Sequence, residues 1–214
     1  GTEANNKPII TSSSFTIDKL KSLRREFLEA CERRLDGRND GRVIVKNLSA
    51  SVDAFIIFIW RSFARKINDD VDLIAIGGFG RSELCPHSDW DLLILVTEDI
   101  SSESKKHLSK FAQTIWDSGA NLSHSVRSVK EAGDFFAIDH HARTAFLESR
   151  LLVGSGRLYN ELCKTEAVEN WDILNRKRFC LEKLEETRSR RANFGNTAFC
   201  MEPNVKNGKG GLRD

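Results

Sequence analysis

Two short apolar runs, VDLIAIG at residues 71–77 and DLLILV at 91–96, set the tightest limit on what this chain can fold into. Both are rich in Val, Ile and Leu and too short for a core-spanning helix. Glycine stops the first, and acidic residues precede the second. Runs of this kind read as strands buried on both faces, which other elements must cover. The segment between them, GGFGRSELCPHSDW, is therefore the link between two central strands.

The cover is readable in the flanks, where apolar residues recur at three and four. Leu20, Leu23, Phe27, Cys31 and Leu35 predict an amphipathic helix over 16–36, closed by Gly37. A Gly/Asp/Arg/Asn loop follows. Val52, Phe55, Ile56, Ile59, Phe63 and Ile67 predict a second helix over about 48–67. Leu108, Phe111, Ala112 and Ile115 place a third over 102–118, and LSHSVRS alternates like a half-exposed strand. Residues 131–166 read as mostly helical, 172–193 as one long charged helix, and the remainder as irregular. Residues 1–14 are polar and read as a disordered tail. The resulting division is an N-terminal helical segment at 15–68, a core at 69–155 and a C-terminal helical segment at 156–214.

The link carries the chemistry. Gly77-Gly78 stands where the first strand ends; glycine allows positive φ and close approach of backbone to a ligand. Exposed N–H groups at such a turn form an anion-binding concavity. Arg81, three residues on, suits a bidentate phosphate contact. Asp89 and Asp91 follow at i and i+2, which on an extended segment puts both carboxylates on one side. Two hard oxygen donors on one face suit Mg²⁺, which completes its shell with water and substrate phosphate. Ser88 is placed to orient one of them. Gly-Gly alone is an ordinary turn and a lone DxD an ordinary loop end. The ordered set of strand, Gly-Gly, Arg, DxD and strand is a stronger signal than its parts.

Bulk properties exclude other classes. The chain has 214 residues, 40% apolar and 30% charged, with a formal net charge of +2, so no global charge draws it to nucleic acid or anionic membrane. Residues 171–214 carry ten Lys/Arg against six Asp/Glu, a mildly basic stretch that reads as a solvated helix surface. Five scattered cysteines without a CxxC read as reduced thiols in a cytoplasmic protein. The apolar stretch VDAFIIFIW is too short to span a membrane and is bounded by Asp53 and Arg61. The sequence stops at GKGGLRD, on an Asp suited to cap a helix that does not follow, as in a chain cut from a longer one.

The stretch GGFGRSELCPHSDWDLLIL resembles the nucleotidyltransferase superfamily with the polymerase-beta-type fold, and more narrowly the bacterial PII-protein uridylyltransferases (uridylyl-removing enzymes). LSHSVRS, TAFLESRLLVG and MEPNVKNGKGGLRD extend the resemblance over roughly residues 45–214. It implies an α+β fold with a small mixed β-sheet core packed by N-terminal and C-terminal helices. It implies that Gly77 and Gly78 contact a triphosphate and that Asp89 and Asp91 ligate Mg²⁺ or Mn²⁺. The substrate would be UTP and the acceptor a tyrosine hydroxyl of the PII signal-transduction protein, with pyrophosphate leaving. The family continues with an HD hydrolase domain and two ACT domains, and 156–214 would lead to them.

A third carboxylate is usual in the superfamily. LSHSVRS offers His124, which reads better as a hydrogen-bonded structural histidine. Glu148, an acid inside the apolar run FLESRLLVG, is the expected further catalytic and metal-ligating residue, with an ion pair to Arg143 or Arg150 as the competing reading. IDHHAR at 138–143 resembles the DHH phosphoesterases, but a Gly-Gly-Arg prelude has no purpose there; Asp139 reads as a local helix cap. Trp90 should face away from the metals into packing. Lys206, Lys209 and Arg213 lie among glycines in a junction rather than a phosphate loop. Two alternatives stay open: a branch transferring another nucleotide, such as adenylyl, and a regulatory module that binds nucleotide without turnover.

Overall fold

The computed structural model describes residues 16–32, 40–165, 168, 173–197, 199, 202, 204–205 and 207–211. The readings of a disordered tail at 1–14 and of Gly37 as a helix stop lie outside these. Two compact units are resolved, residues 1–168 and 169–214.

In the first unit the central strands are β1 (Val71–Ala75) and β2 (Trp90–Val96), antiparallel, with Val71 opposite Val96 and Ala75 opposite Leu92. β3 (Leu122–Ser128) runs parallel to β2 on one edge. β4 (Arg150–Val153) runs antiparallel to β1 on the other, so the order is β3-β2-β1-β4. This is the expected α+β fold with a small mixed sheet. β4 corrects the helical reading of 131–166. RLLV is too short to show a period of its own, and pairing along the open edge of β1, not local propensity, makes it a strand.

Alternation along the central strands divides the core. Leu73, Ala75, Trp90, Leu92, Ile94 and Val96 face one side. There they meet α1 (Ile17–Glu32), α2 (Gly41–Ala64) and α4 (Ser102–Asp117), through residues such as Leu20, Phe55, Ile59 and Phe111. Ile74, Leu93 and Leu95 face the other side. Their cover is α5 (Val129–Ile138), α6 (His140–Leu147) and α7 (Arg157–Cys163), through Phe136, Phe146, Leu158 and Leu162. A single turn, α3 (Gly77–Gly80), follows β1.

α2 begins seven residues before the position that its apolar period predicts, because Asp40 caps it by accepting from the Arg42 N–H at 3.1 Å. By length and composition α2 is the one described helix apolar enough to cross a membrane. Its apolar stripe, Val52, Phe55, Ile56, Ile59 and Phe63, is instead buried in the core against the sheet. The second unit holds α8 (Ile173–Asn193), the expected long charged helix, with ladders such as Arg178–Glu182 at 2.9 Å.

Candidate active site

The ladder between β1 and β2 continues one step past β1, where the Ile76 N–H donates to the Asp91 carbonyl at 3.1 Å. That step sets Asp91 opposite the entry to the Gly-Gly turn. Gly77 has φ +59°, a left-handed conformation that strains any other residue. A Cβ on Gly77 would lie 3.8 Å from Asp91 Oδ2, so the carboxylate stands beside the turn. A Cβ on Gly78 would meet only ordinary contacts, Arg81 Nη2 at 3.7 Å and the Glu83 carbonyl oxygen at 3.9 Å. Gly80 differs, because a Cβ on it would overlap the Glu148 carbonyl oxygen. That glycine is required by close packing, which no spacing rule signals.

Trp90 is buried and packs edge-on against Phe55, with ring centroids 6.0 Å apart. It faces the α2 side as expected, and the pleat therefore turns Asp91 to the opposite face. Asp91 is half-buried, and Asp89 is exposed just before the strand begins. Ser88 closes the preceding turn, its N–H donating to the Cys85 carbonyl at 3.0 Å.

Arg81 does not stand alone. Its Nε donates to Glu83 Oε2 at 2.9 Å and its Nη1 to Glu148 Oε2. The bond to Glu83 and the charge of Glu148 hold the guanidinium pKa above its ordinary value. The structure thus brings Gly77, Gly78, Arg81 and Asp91 together, with Asp89 at their edge, and engages Glu148 with Arg81. The ion-pair partner of Glu148 is thus Arg81, and Arg150 pairs with Asp53. Among the described residues no three His, Cys, Asp or Glu side chains gather where they could hold a metal. One exposed and one half-buried carboxylate at the start of β2 still fit Mg²⁺, which needs only one or two from the protein.

His124 lies opposite Leu92 in the β2–β3 register, on the face away from Asp91. It stacks edge-on with Trp116 at 5.2 Å, and burial lowers its pKa. A cleft of about 700 Å³ on that face includes His124, Lys105 and Lys130 but none of the residues of the turn. Asp139 caps α6, accepting from the N–H groups of His141 at 2.8 Å and Ala142 at 2.9 Å.

Three further residues, none of them expected in the site, brace the fold around it. Arg150 Nη2 donates to Asp53 at 2.8 Å and to the Phe79 carbonyl at 3.2 Å, tying β4 and α2 to the turn. The Ser49 hydroxyl accepts from the Leu84 N–H at 2.9 Å. Asp72, wholly buried, accepts from the N–H groups of Gly156 and Tyr159, both at 2.9 Å, and so caps α7 from within the sheet. Its signal was in the sequence: an acid inside an apolar strand must be satisfied.

The sheet order and the Gly-Gly turn set against an acid pair are consistent with a small nucleotidyltransferase-like core. The comparisons narrow this class. Residues 178–214 match the family described as GlnD PII-uridylyltransferase. A bifunctional uridylyltransferase/uridylyl-removing enzyme of Methylococcus capsulatus is 40% identical over 80% of this chain and 19% of its own length. Proteins of the same name from Legionella pneumophila and Photobacterium profundum are 34% and 30% identical, over 91% and 98% of this chain and 22% and 24% of their own. The resemblance to the uridylyltransferase family seen in residues 75–95 is thereby borne out over most of the chain. The chain spans about a fifth of the length of these curated relatives.

Proposed function

We propose that this chain is the nucleotidyltransferase part of a uridylyltransferase. A tyrosine hydroxyl of the PII signal-transduction protein attacks the α-phosphorus of UTP; a UMP–tyrosine phosphodiester forms, the α–β bridge breaks and pyrophosphate leaves. The observation that carries the reading is the closeness of the Asp91 carboxylate to Gly77, whose Cβ, if it had one, would lie 3.8 Å from Oδ2, so that the glycine turn and an acid of the DxD pair share one place.

In this reading the N–H groups of Gly77 and Gly78 bind the triphosphate, and Arg81 takes a phosphate oxygen. Asp89 and Asp91 hold Mg²⁺ or Mn²⁺, and Ser88 keeps their turn closed. A divalent ion bound there supplies charge neutralisation for the phosphates and lowers the pKa of the attacking hydroxyl. The chain's own work is position and electrostatics, as in other phosphoryl transfers. Uridylyl is in the relatives' name and PII in the matched family's description. A cytoplasmic setting goes with this reading, in which α2, its apolar stripe buried in the core, serves as a core helix.

The test is the intact mass of a PII protein from the same organism after incubation with this chain, Mg²⁺ and each of the four NTPs in turn. The expected result is a uridylyl adduct on one tyrosine, with UTP only. An adduct from ATP instead would shift the reading to adenylyl transfer. Nucleotide binding with no adduct would leave a binding module in its place.

A further inference from the structure

Arg81 has three nitrogens to offer, and the protein uses two. Nε is taken by Glu83 and Nη1 by Glu148. Nη2 has no acceptor among the described residues, and it lies beside the turn, 3.7 Å from where a Cβ on Gly78 would stand. A guanidinium fixed at two corners of its plane has its third corner aimed, without the rotamer entropy that a loose arginine loses on binding.

Glu148 is well placed to act as the fixed point. Its N–H bonds back to the Ala145 carbonyl at the end of α6. Its carbonyl packs against Gly80, closely enough to exclude any side chain there. Two residues on, Arg150 bonds the Phe79 carbonyl. Backbone and side chain on both sides of Glu148 are thus fastened to α3 itself. A carboxylate already engaged by a guanidinium competes poorly as a cation ligand, since both partners need the same oxygens.

We propose that Glu148, with Glu83, is a positioning residue for Arg81: the two carboxylates occupy Nε and Nη1 so that Nη2 faces the Gly-Gly turn and receives a phosphate oxygen. This rests on the reading that the turn binds a triphosphate, and it gives Glu148 a role other than metal ligand.

Binding separates the possibilities without requiring turnover. Affinity for UTP and for inorganic tripolyphosphate, both with Mg²⁺, is measured by calorimetry for the unaltered chain, Arg81→Ala, Glu148→Ala, Glu148→Gln and the Arg81→Ala/Glu148→Ala double variant. Glu148→Ala should weaken both ligands by the same factor, about fivefold, and Arg81→Ala by about thirtyfold. Glu148→Gln, which still offers an oxygen to Nη1, should recover most of the loss. The double variant should bind no worse than Arg81→Ala, because positioning has no effect once the arginine is gone. The Mg²⁺ midpoint should stay put in Glu148→Ala and move in Asp91→Asn.

Additive losses, tighter binding in Glu148→Ala, or a shifted Mg²⁺ midpoint there would overturn the proposal. So would an unaltered chain that binds neither ligand, which would remove the triphosphate site as well. If the chain binds both ligands as described but never transfers UMP, the transferase reading fails and the positioning role stands.

Discussion

Asp72 and Asp91 lie on the same face of the sheet, on neighbouring strands, near opposite ends, and they do opposite work. Asp72 is wholly buried, with its oxygens taken by the Gly156 and Tyr159 N–H groups at the start of α7. Asp91 is half-buried beside Gly77, at the end of the sheet where the glycine turn begins. The same residue type on the same face becomes a strut at one end and a candidate metal ligand at the other according to what covers it. At the Asp72 end the cover is α7 and Gly154, whose φ of +127° and lack of a side chain let the chain close over the carboxylate. At the Asp91 end the neighbouring chain is a glycine turn, with Gly77 at φ +59°.

The comparison can be broken most forcefully at Asp91. Asp91→Asn should cut uridylyl transfer by at least about a thousandfold, ~4 kcal/mol of barrier, and move the melting temperature by less than about 2 °C. Normal turnover, followed by intact mass of the acceptor, would remove Asp91 from the chemistry. Asp72→Ala should do the reverse. It strands two N–H groups, costing about 3 kcal/mol of stability, roughly 8 °C in the melting temperature, read by chemical and thermal denaturation. A loss of activity at full stability would place Asp72 in the site instead. Asp139→Ala sharpens the contrast from the surface. Asp139 also caps a helix with two N–H groups, but locally and half-exposed, so its loss should cost only about 1 kcal/mol in the same denaturation curves. Equal costs at Asp72 and Asp139 would mean that burial adds nothing to a cap.

What could be read in the sequence follows from the range of each interaction. β1 and β2 were legible because strands covered on both faces are continuous apolar runs, and β3 because an edge strand alternates. The start of α2 was missed because one capping aspartate outweighed a stretch that otherwise reads as loop. β4 was missed because its four residues become a strand only by pairing with β1. In the site, Gly77, Arg81, Asp89 and Asp91 were legible as a spacing, since all lie on one link between two strands. Glu148 was legible as an acid that must have a partner, but the partner, Arg81, lies 67 residues away. No local pattern carries information over that distance.

Local periodicity and glycine's backbone freedom act over a few residues, so the two central strands, the helices that cover them and the order of the candidate site residues between them are legible in the sequence. Only the tertiary structure decided that Asp72 is a buried cap, that Gly80 must lack a side chain and that Glu148 meets Arg81. Each of these depends on segments far apart in sequence packing within a few ångströms, where burial and the need to satisfy every polar group choose the partner.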